Sequence, residues 1–306
     1  MCGDCHWADG AGRGGGEDKK TVIKNSAIEW TAVTWNSWQG CVKKTIEING
    51  QVQLREECRH CYMYRDKQRY GQKPQIVVRS APPTFNKPLK VQKEVEQGKR
   101  PNIQDRLVFT CSWSDWNNPE ADEWRPEAWD IIRQCPDLIF QILTKLPQRM
   151  PDHLPLFWDE IKNRCWVGVT AGYQEAADEM REYLRVIDAP HRFVSYEPSL
   201  GPVNWDGWQD IVDWLIAGGE SGPEARPTHP NWLRQARSWS VSNGVAFYFK
   251  QWGEFVGGLG QHENGATATI DKNAHEWGDG YISRRVGKHT AGRLLDGVEW
   301  NQFPTP

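Results

Sequence analysis

Cys165-Trp166-Val167-Gly168-Val169-Thr170, then Gln174-Glu175-Ala176-Ala177-Asp178-Glu179-Met180-Arg181-Glu182-Tyr183-Leu184-Arg185-Val186-Ile187, then Arg192-Phe193-Val194-Ser195-Tyr196 decide the fold of this chain. The outer two runs are short, rich in β-branched and aromatic residues, and nearly free of polar alternation. Strands buried on both faces read this way. The middle run places Ala177, Met180, Tyr183, Leu184 and Ile187 three or four positions apart, which is one face of an amphipathic helix. A strand, a helix and a second buried strand make a parallel pair joined by a right-handed crossover.

The same alternation extends in both directions. Apolar strand-like runs occupy residues 32–36, 107–111, 138–143, 214–217 and 245–249, and helical periodicity marks 123–134, 154–162 and 232–240. Repetition of the unit predicts an α/β fold, a parallel TIM-like barrel that is partial rather than complete. Polar segments follow the strands: Ser112-Trp113-Ser114-Asp115-Trp116, Thr144-Lys145, Thr170-Ala171-Gly172, Glu197-Pro198-Ser199, Gly218-Gly219-Glu220-Ser221-Gly222 and Lys250-Gln251-Trp252. In a parallel barrel these all emerge at the C-terminal mouth, where such folds build their sites.

Three cysteines stand at the same mouth. Cys41 follows the first strand, and Cys58 and Cys61 sit three positions apart at a helix start; the polar stretch 43–57 folds back as a hairpin and returns Cys41 to the pair. With no fourth ligand nearby, three thiolates point to a [4Fe–4S] cluster held by three corners, one iron being left open for a cofactor or substrate. A structural zinc needs a fourth ligand, for which His60, Cys2 or Cys5 are the candidates. That alternative makes the chain a zinc-containing nucleic-acid-binding or interaction module; buried thiols without a metal are the third reading.

Composition bounds the rest. The chain has 306 residues, a net charge of -3, 8 Cys and 18 Trp. The charge argues against coating a nucleic-acid backbone, although a local basic groove remains compatible with it. Cysteines so spaced do not form a disulfide framework, and neither a run of about 18 apolar residues nor a secretory core is present. A cytoplasmic location is expected, with no membrane partner. Residues 1–27 read as a flexible segment, 28–256 as the barrel with its inserted hairpin near 43–57, and 257–306 as a C-terminal extension. Some tryptophans pack the core and several are expected to line a cleft.

Longer motifs add a resemblance. Ile28-Glu29-Trp30-Thr31 with Thr34-Trp35-Asn36, Gly40-Cys41, Cys58-x2-Cys61-Tyr62, Phe109-Thr110-Cys111-Ser112, Leu143-Thr144-Lys145, Trp166-x-Gly168-Val169-Thr170, Glu197-Pro198-Ser199-Leu200-Gly201-Pro202, Gly218-Gly219-Glu220-Ser221-Gly222-Pro223 and Phe249-Lys250-Gln251-Trp252-Gly253 span residues 28–253. Together they resemble the radical S-adenosylmethionine superfamily, and within it the phage Gp37/Gp68-like group. The resemblance implies a barrel of the radical-SAM type with Cys41, Cys58 and Cys61 holding the cluster. S-adenosyl-L-methionine would sit on the open iron and be cleaved to a 5′-deoxyadenosyl radical that abstracts hydrogen from a substrate. It also suggests nucleotide or DNA-base modification in a bacterial or phage-infected cell, with an electron donor such as flavodoxin or ferredoxin. On this reading Ser112, Ser195, Gly218, Gly219, Glu220 and Lys250 contact the cofactor, while Glu197, Lys145 and Asp115 serve the reaction. Arg226 adds local positive charge, and Lys145 and Lys250 have an alternative role as ion-pair partners of Glu197 and Glu220.

Overall fold

The computed structural model describes residues 26–259 and 272–304, so the extra candidate ligands Cys2, Cys5 and His6 lie outside the described residues. Seven strands form one parallel sheet: β1 (Val33–Trp35), β2 (Leu107–Thr110), β3 (Ile139–Thr144), β4 (Cys165–Thr170), β5 (Arg192–Tyr196), β6 (Trp214–Gly218) and β7 (Ala246–Gln251). Each strand pairs with the next in sequence, so successive crossovers march one way and the sheet curls. It stays open between β1 and β7, giving a partial α/β barrel with flanking helices. Nothing in this architecture is particular to the radical-SAM type.

The helices include α1 (Glu56–Arg59), α2 (Tyr62–Arg69), α3 (Lys87–Glu96), α4 (Arg125–Arg133), α5 (Trp158–Ile161), α6 (Gln174–Arg185) and α7 (Pro230–Ser242), with single-turn helices also at Pro82–Phe85 and Lys288–Ala291. The apolar stripe of α6 is buried at Ala177, Met180 and Leu184, with Ile187 just beyond the helix; Tyr183, expected in the stripe, is exposed, and Asp178 and Glu182 face water while Glu179 pairs with buried Arg55. The hairpin expected near 43–57 is present as Thr45–Ile48 paired antiparallel with Gln51–Leu54.

Strand alternation separates two cores. Val108, Phe140, Val167, Val194, Leu215 and Phe247 point outward against the helices. Their sequence neighbours Leu107, Phe109, Ile139, Trp166, Phe193, Trp214 and Tyr248 point into the concave side. There Trp30 plugs the lower end, its ring 4.5 Å from Phe109 and 5.9 Å from Trp214. Edge-to-face aromatic packing of this kind makes a dry, rigid floor.

After β7 the chain forms a small antiparallel sheet, Phe255–Leu259 and Ala274–Glu276 flanking Tyr281–Arg285. The tail then returns to β7, where the Phe249 amide donates to the Trp300 carbonyl at 2.9 Å and Phe303 packs 5.3 Å from Trp214. Among the described residues no helix is long and apolar enough to cross a membrane.

Candidate functional site

Above the aromatic floor the concave face turns polar. Continuing the alternation from Trp166, Phe193, Trp214 and Tyr248 up each strand gives Thr170, Ser195, Glu197, Gly218 and Lys250. Gln141 lies a layer lower, level with Phe109 and Trp166, its Nε2 donating to the Trp30 carbonyl at 3.3 Å. Thr170 and Ser195 are buried, yet Thr170 Oγ1 has no hydrogen-bond partner among the described residues. A buried hydroxyl left in this way costs free energy unless something else engages it.

A strap formed by the α1–α2 segment closes the mouth. Glu57 Oε1 accepts the Gly172 amide at 3.0 Å just beyond β4, and the Tyr62 hydroxyl donates to the Ser112 carbonyl beyond β2. Arg226, beyond β6, donates to Glu56 Oε2 at 2.6 Å and to the Glu56 carbonyl at 2.9 Å. The same guanidinium grips Glu220 through both carboxylate oxygens at 2.8 and 2.7 Å. Three loops from three strand ends therefore hold one short segment over the chamber. Gly40 sets the approach of Cys41: its φ is +100° and an added Cβ would lie 2.1 Å from the Ile76 carbonyl oxygen, so only glycine fits.

Residues expected from the sequence divide by what they touch. Asp115 is an organiser, its carboxylate accepting the Thr144 hydroxyl at 2.6 Å and the Lys145 and Asn117 amides at 2.7 and 3.0 Å. Ser112 shares hydrogen bonds with the Asn36 side chain at 3.1 and 3.2 Å, joining the ends of β1 and β2. Glu197 and Lys250 pair with each other across β5 and β7, and Glu220 is taken by Arg226. An added Cβ on Gly219 would lie 1.9 Å from the Trp252 carbonyl oxygen, so this glycine serves the seam between β6 and β7. Gly218 follows the buried end of β6, and its carbonyl accepts from Ser199. Lys145 differs from all of these. Half-buried, its ammonium has no hydrogen bond or ion pair among the described residues. Burial by itself lowers its pKa, while the carboxylates of Asp115 and Glu57 pull it up, joined by Cys58 and Cys61 when those thiols are ionised. It is a retained cation facing the strap.

The cysteines correct the sequence reading. Hairpin and strap bring Cys41, Cys58 and Cys61 close enough to influence one another electrostatically. Among the described residues, however, no group of three or more His, Cys, Asp or Glu side chains could hold a metal ion. Cys41 Sγ instead donates to its neighbour's carbonyl, Val42 O, at 3.3 Å, as a protonated thiol does. Burial pushes the Cys41 thiol up to about 12 and raises Cys58 as well, so without a metal both stay protonated at neutral pH. The [4Fe–4S] cluster on Cys41, Cys58 and Cys61, S-adenosyl-L-methionine on its open iron, the 5′-deoxyadenosyl radical and the radical-SAM enzyme all rest on that ligand set and fall with it. So does the zinc module, and the flavodoxin or ferredoxin partner loses its role.

Sequence reasoning missed Glu57 and Tyr62. Glu57 read as the last residue of the polar 43–57 hairpin; its partner Gly172 is 115 residues away, and no local signal marks it.

Fold and site define an open parallel α/β barrel with a strapped polar chamber at its C-terminal mouth. The chain belongs to the family described as protein of unknown function (DUF5131), which matches residues 25–304. No curated protein and no solved structure matches it.

Proposed function

We propose that the chain binds a small organic anion in the chamber between the concave face and the strap, with Lys145 holding the anionic group. One observation carries this reading: a half-buried ammonium without a partner among the described residues stands at a mouth where the buried Thr170 hydroxyl lacks one too. A ligand carrying a carboxylate or phosphate and one or more hydroxyl or amino groups satisfies both. Small carboxylates and nucleotides both have that chemistry. The Glu197–Lys250 pair, half-buried beside Ser195, is placed to exchange a proton with such a ligand. Glu56, Glu57 and Arg226 exclude water by holding the strap down.

Thermal-shift and calorimetric titration with a panel of nucleotides and small carboxylates tests the proposal. A charge-assisted hydrogen bond is worth roughly 1.5–3 kcal/mol, so Lys145→Met should weaken the best ligand by about tenfold to a hundredfold. The proposal fails if no anion in the panel stabilises the protein, or if Lys145→Met binds the best one unchanged.

A further inference from the structure

A second concavity lies outside the chamber, along α7. Two adjoining cavities of about 350 and 570 Å³ share Pro202 and Gln235 as a common wall. The first is bounded by Trp232 and Trp277 with Asn231 and Asp279. The second is bounded by Trp205 and Trp239 with Gln174, Asn204 and Asp206. Their alignment follows from helix periodicity: Asn231, Gln235 and Trp239 recur every fourth residue, and Trp232 lies one position round. Volumes of this size are typical of small-molecule sites. Trp232, Trp239 and Trp277 each keep part of their surface in water, although indole surface is ordinarily driven to burial.

The lining decides the chemistry of the occupant. Among the described residues no Lys or Arg borders either cavity, while Asp279 and Asp206 do, so phosphates and nucleic acid are repelled rather than drawn in. Asp279 is fixed by His229, whose Nε2 lies 3.0 Å from its carboxylate. The first compartment also lacks the parted ring faces of an aromatic cage for an organic cation. The rings of His229, Trp232 and Trp277 stand 5.0–5.7 Å apart, centre to centre, which leaves no gap between faces for an ammonium group. What remains is a neutral ligand that offers C–H faces to indoles and hydroxyls to side-chain amides and carboxylates. Sugars have that amphipathic surface. Each compartment has its own tryptophans, and the two are continuous, so the fit is to a chain of at least two rings.

We propose that the trough along α7 is a binding site for a neutral oligosaccharide, stacked on Trp232 and Trp239 and hydrogen-bonded by Asn231, Gln235 and Asp279. This stands independently of the chamber. Calorimetric titration of the full chain with cellotetraose, maltotetraose, chitotetraose and xylotetraose tests it. At least one should bind, with affinity unchanged between about 50 mM and about 500 mM salt, because no ion pair is involved. Trp239→Ala and the exposed Gln235→Ala should each weaken that binding by about tenfold, a loss of roughly 1.4 kcal/mol, with melting curves confirming a folded protein. Lys145→Met should leave it intact. The proposal is overturned if none of the four binds at about 10 mM, if binding survives both trough variants, or if Lys145→Met abolishes it and so places the sugar in the chamber.

Discussion

Replacing Arg226 with Met probes the strap. In the native protein Arg226 joins buried Glu220 (7 % exposed) to Glu56 of α1 and is itself 26 % exposed. Methionine keeps much of the volume but strands the Glu220 carboxylate, whose one remaining bond is the Arg226 backbone amide at 2.9 Å. Breaking a fully buried pair costs about 3–5 kcal/mol. Water reaching the quarter-exposed arginine position and Glu56 rehydrates part of the site, which brings the expected loss to about 2–3 kcal/mol. Roughly 1 kcal/mol of that belongs to the Glu56 arm, the part that ties down the strap. Local opening should then become about fivefold more frequent. Urea unfolding reads the total loss, and pulsed alkylation with mass-spectrometric mapping reads the strap. Cys58, 8 % exposed on the strap's own first helix, should label severalfold faster while core Cys135 does not. Unchanged labelling of Cys58 would refute the clamp. Equal acceleration at Cys58 and Cys135 would also refute it, by showing global rather than local opening.

Three further outcomes follow from individual contacts. In Gly168→Ala the new methyl would lie 2.4 Å from Phe193 Cζ, inside a floor already filled by aromatic rings; denaturant unfolding should show a loss of about 1–3 kcal/mol, partly recovered by adding Phe193→Leu. Asp115→Ala should cost at least as much as one buried hydrogen-bond network member, about 2–4 kcal/mol by the same assay, because three donors lose their acceptor; a neutral result would mean that the carboxylate is not an organiser. Alkaline stability should fall in a defined window. Burial pushes Cys111 and Cys135 from an ordinary 9.0 up to about 12. Their contribution is therefore complete below about pH 9 and lost as pH rises towards about 12, since the unfolded chain releases those protons first. Denaturation midpoints measured across that range should slope downward, and Cys111→Ala with Cys135→Ala should flatten the slope.

The buried strands were legible because a parallel strand covered on both faces must be apolar at every position. Cys165–Thr170 and Arg192–Tyr196 end where their composition ends, and the intervening helix begins at Gln174 as its periodicity requires. Polar residues after each strand converge on one mouth for the same topological reason. Tryptophans were harder to place. Apart from the trough, many are structural: Trp35, Trp116, Trp129 and Trp158 form a packed series with ring centres 4.8–6.1 Å apart under the helices. Composition cannot distinguish such a series from a ligand-stacking face.

The amino-acid sequence by itself determined the alternation of strand and helix, the hairpin before Cys58 and the end of the sheet that carries the polar groups, since each follows from local period and chain direction. Tertiary structure alone decided which charges cancel: Glu197 meets Lys250, Glu220 meets Arg226, and Lys145 has no partner among the described residues. It also decided that three cysteines at one mouth do not make a metal site, because ligation depends on thiol direction and solvation. Those are set by Gly40, the hairpin and the strap, whose contacts join residues far apart in the chain, and spacing along the sequence carries no record of them.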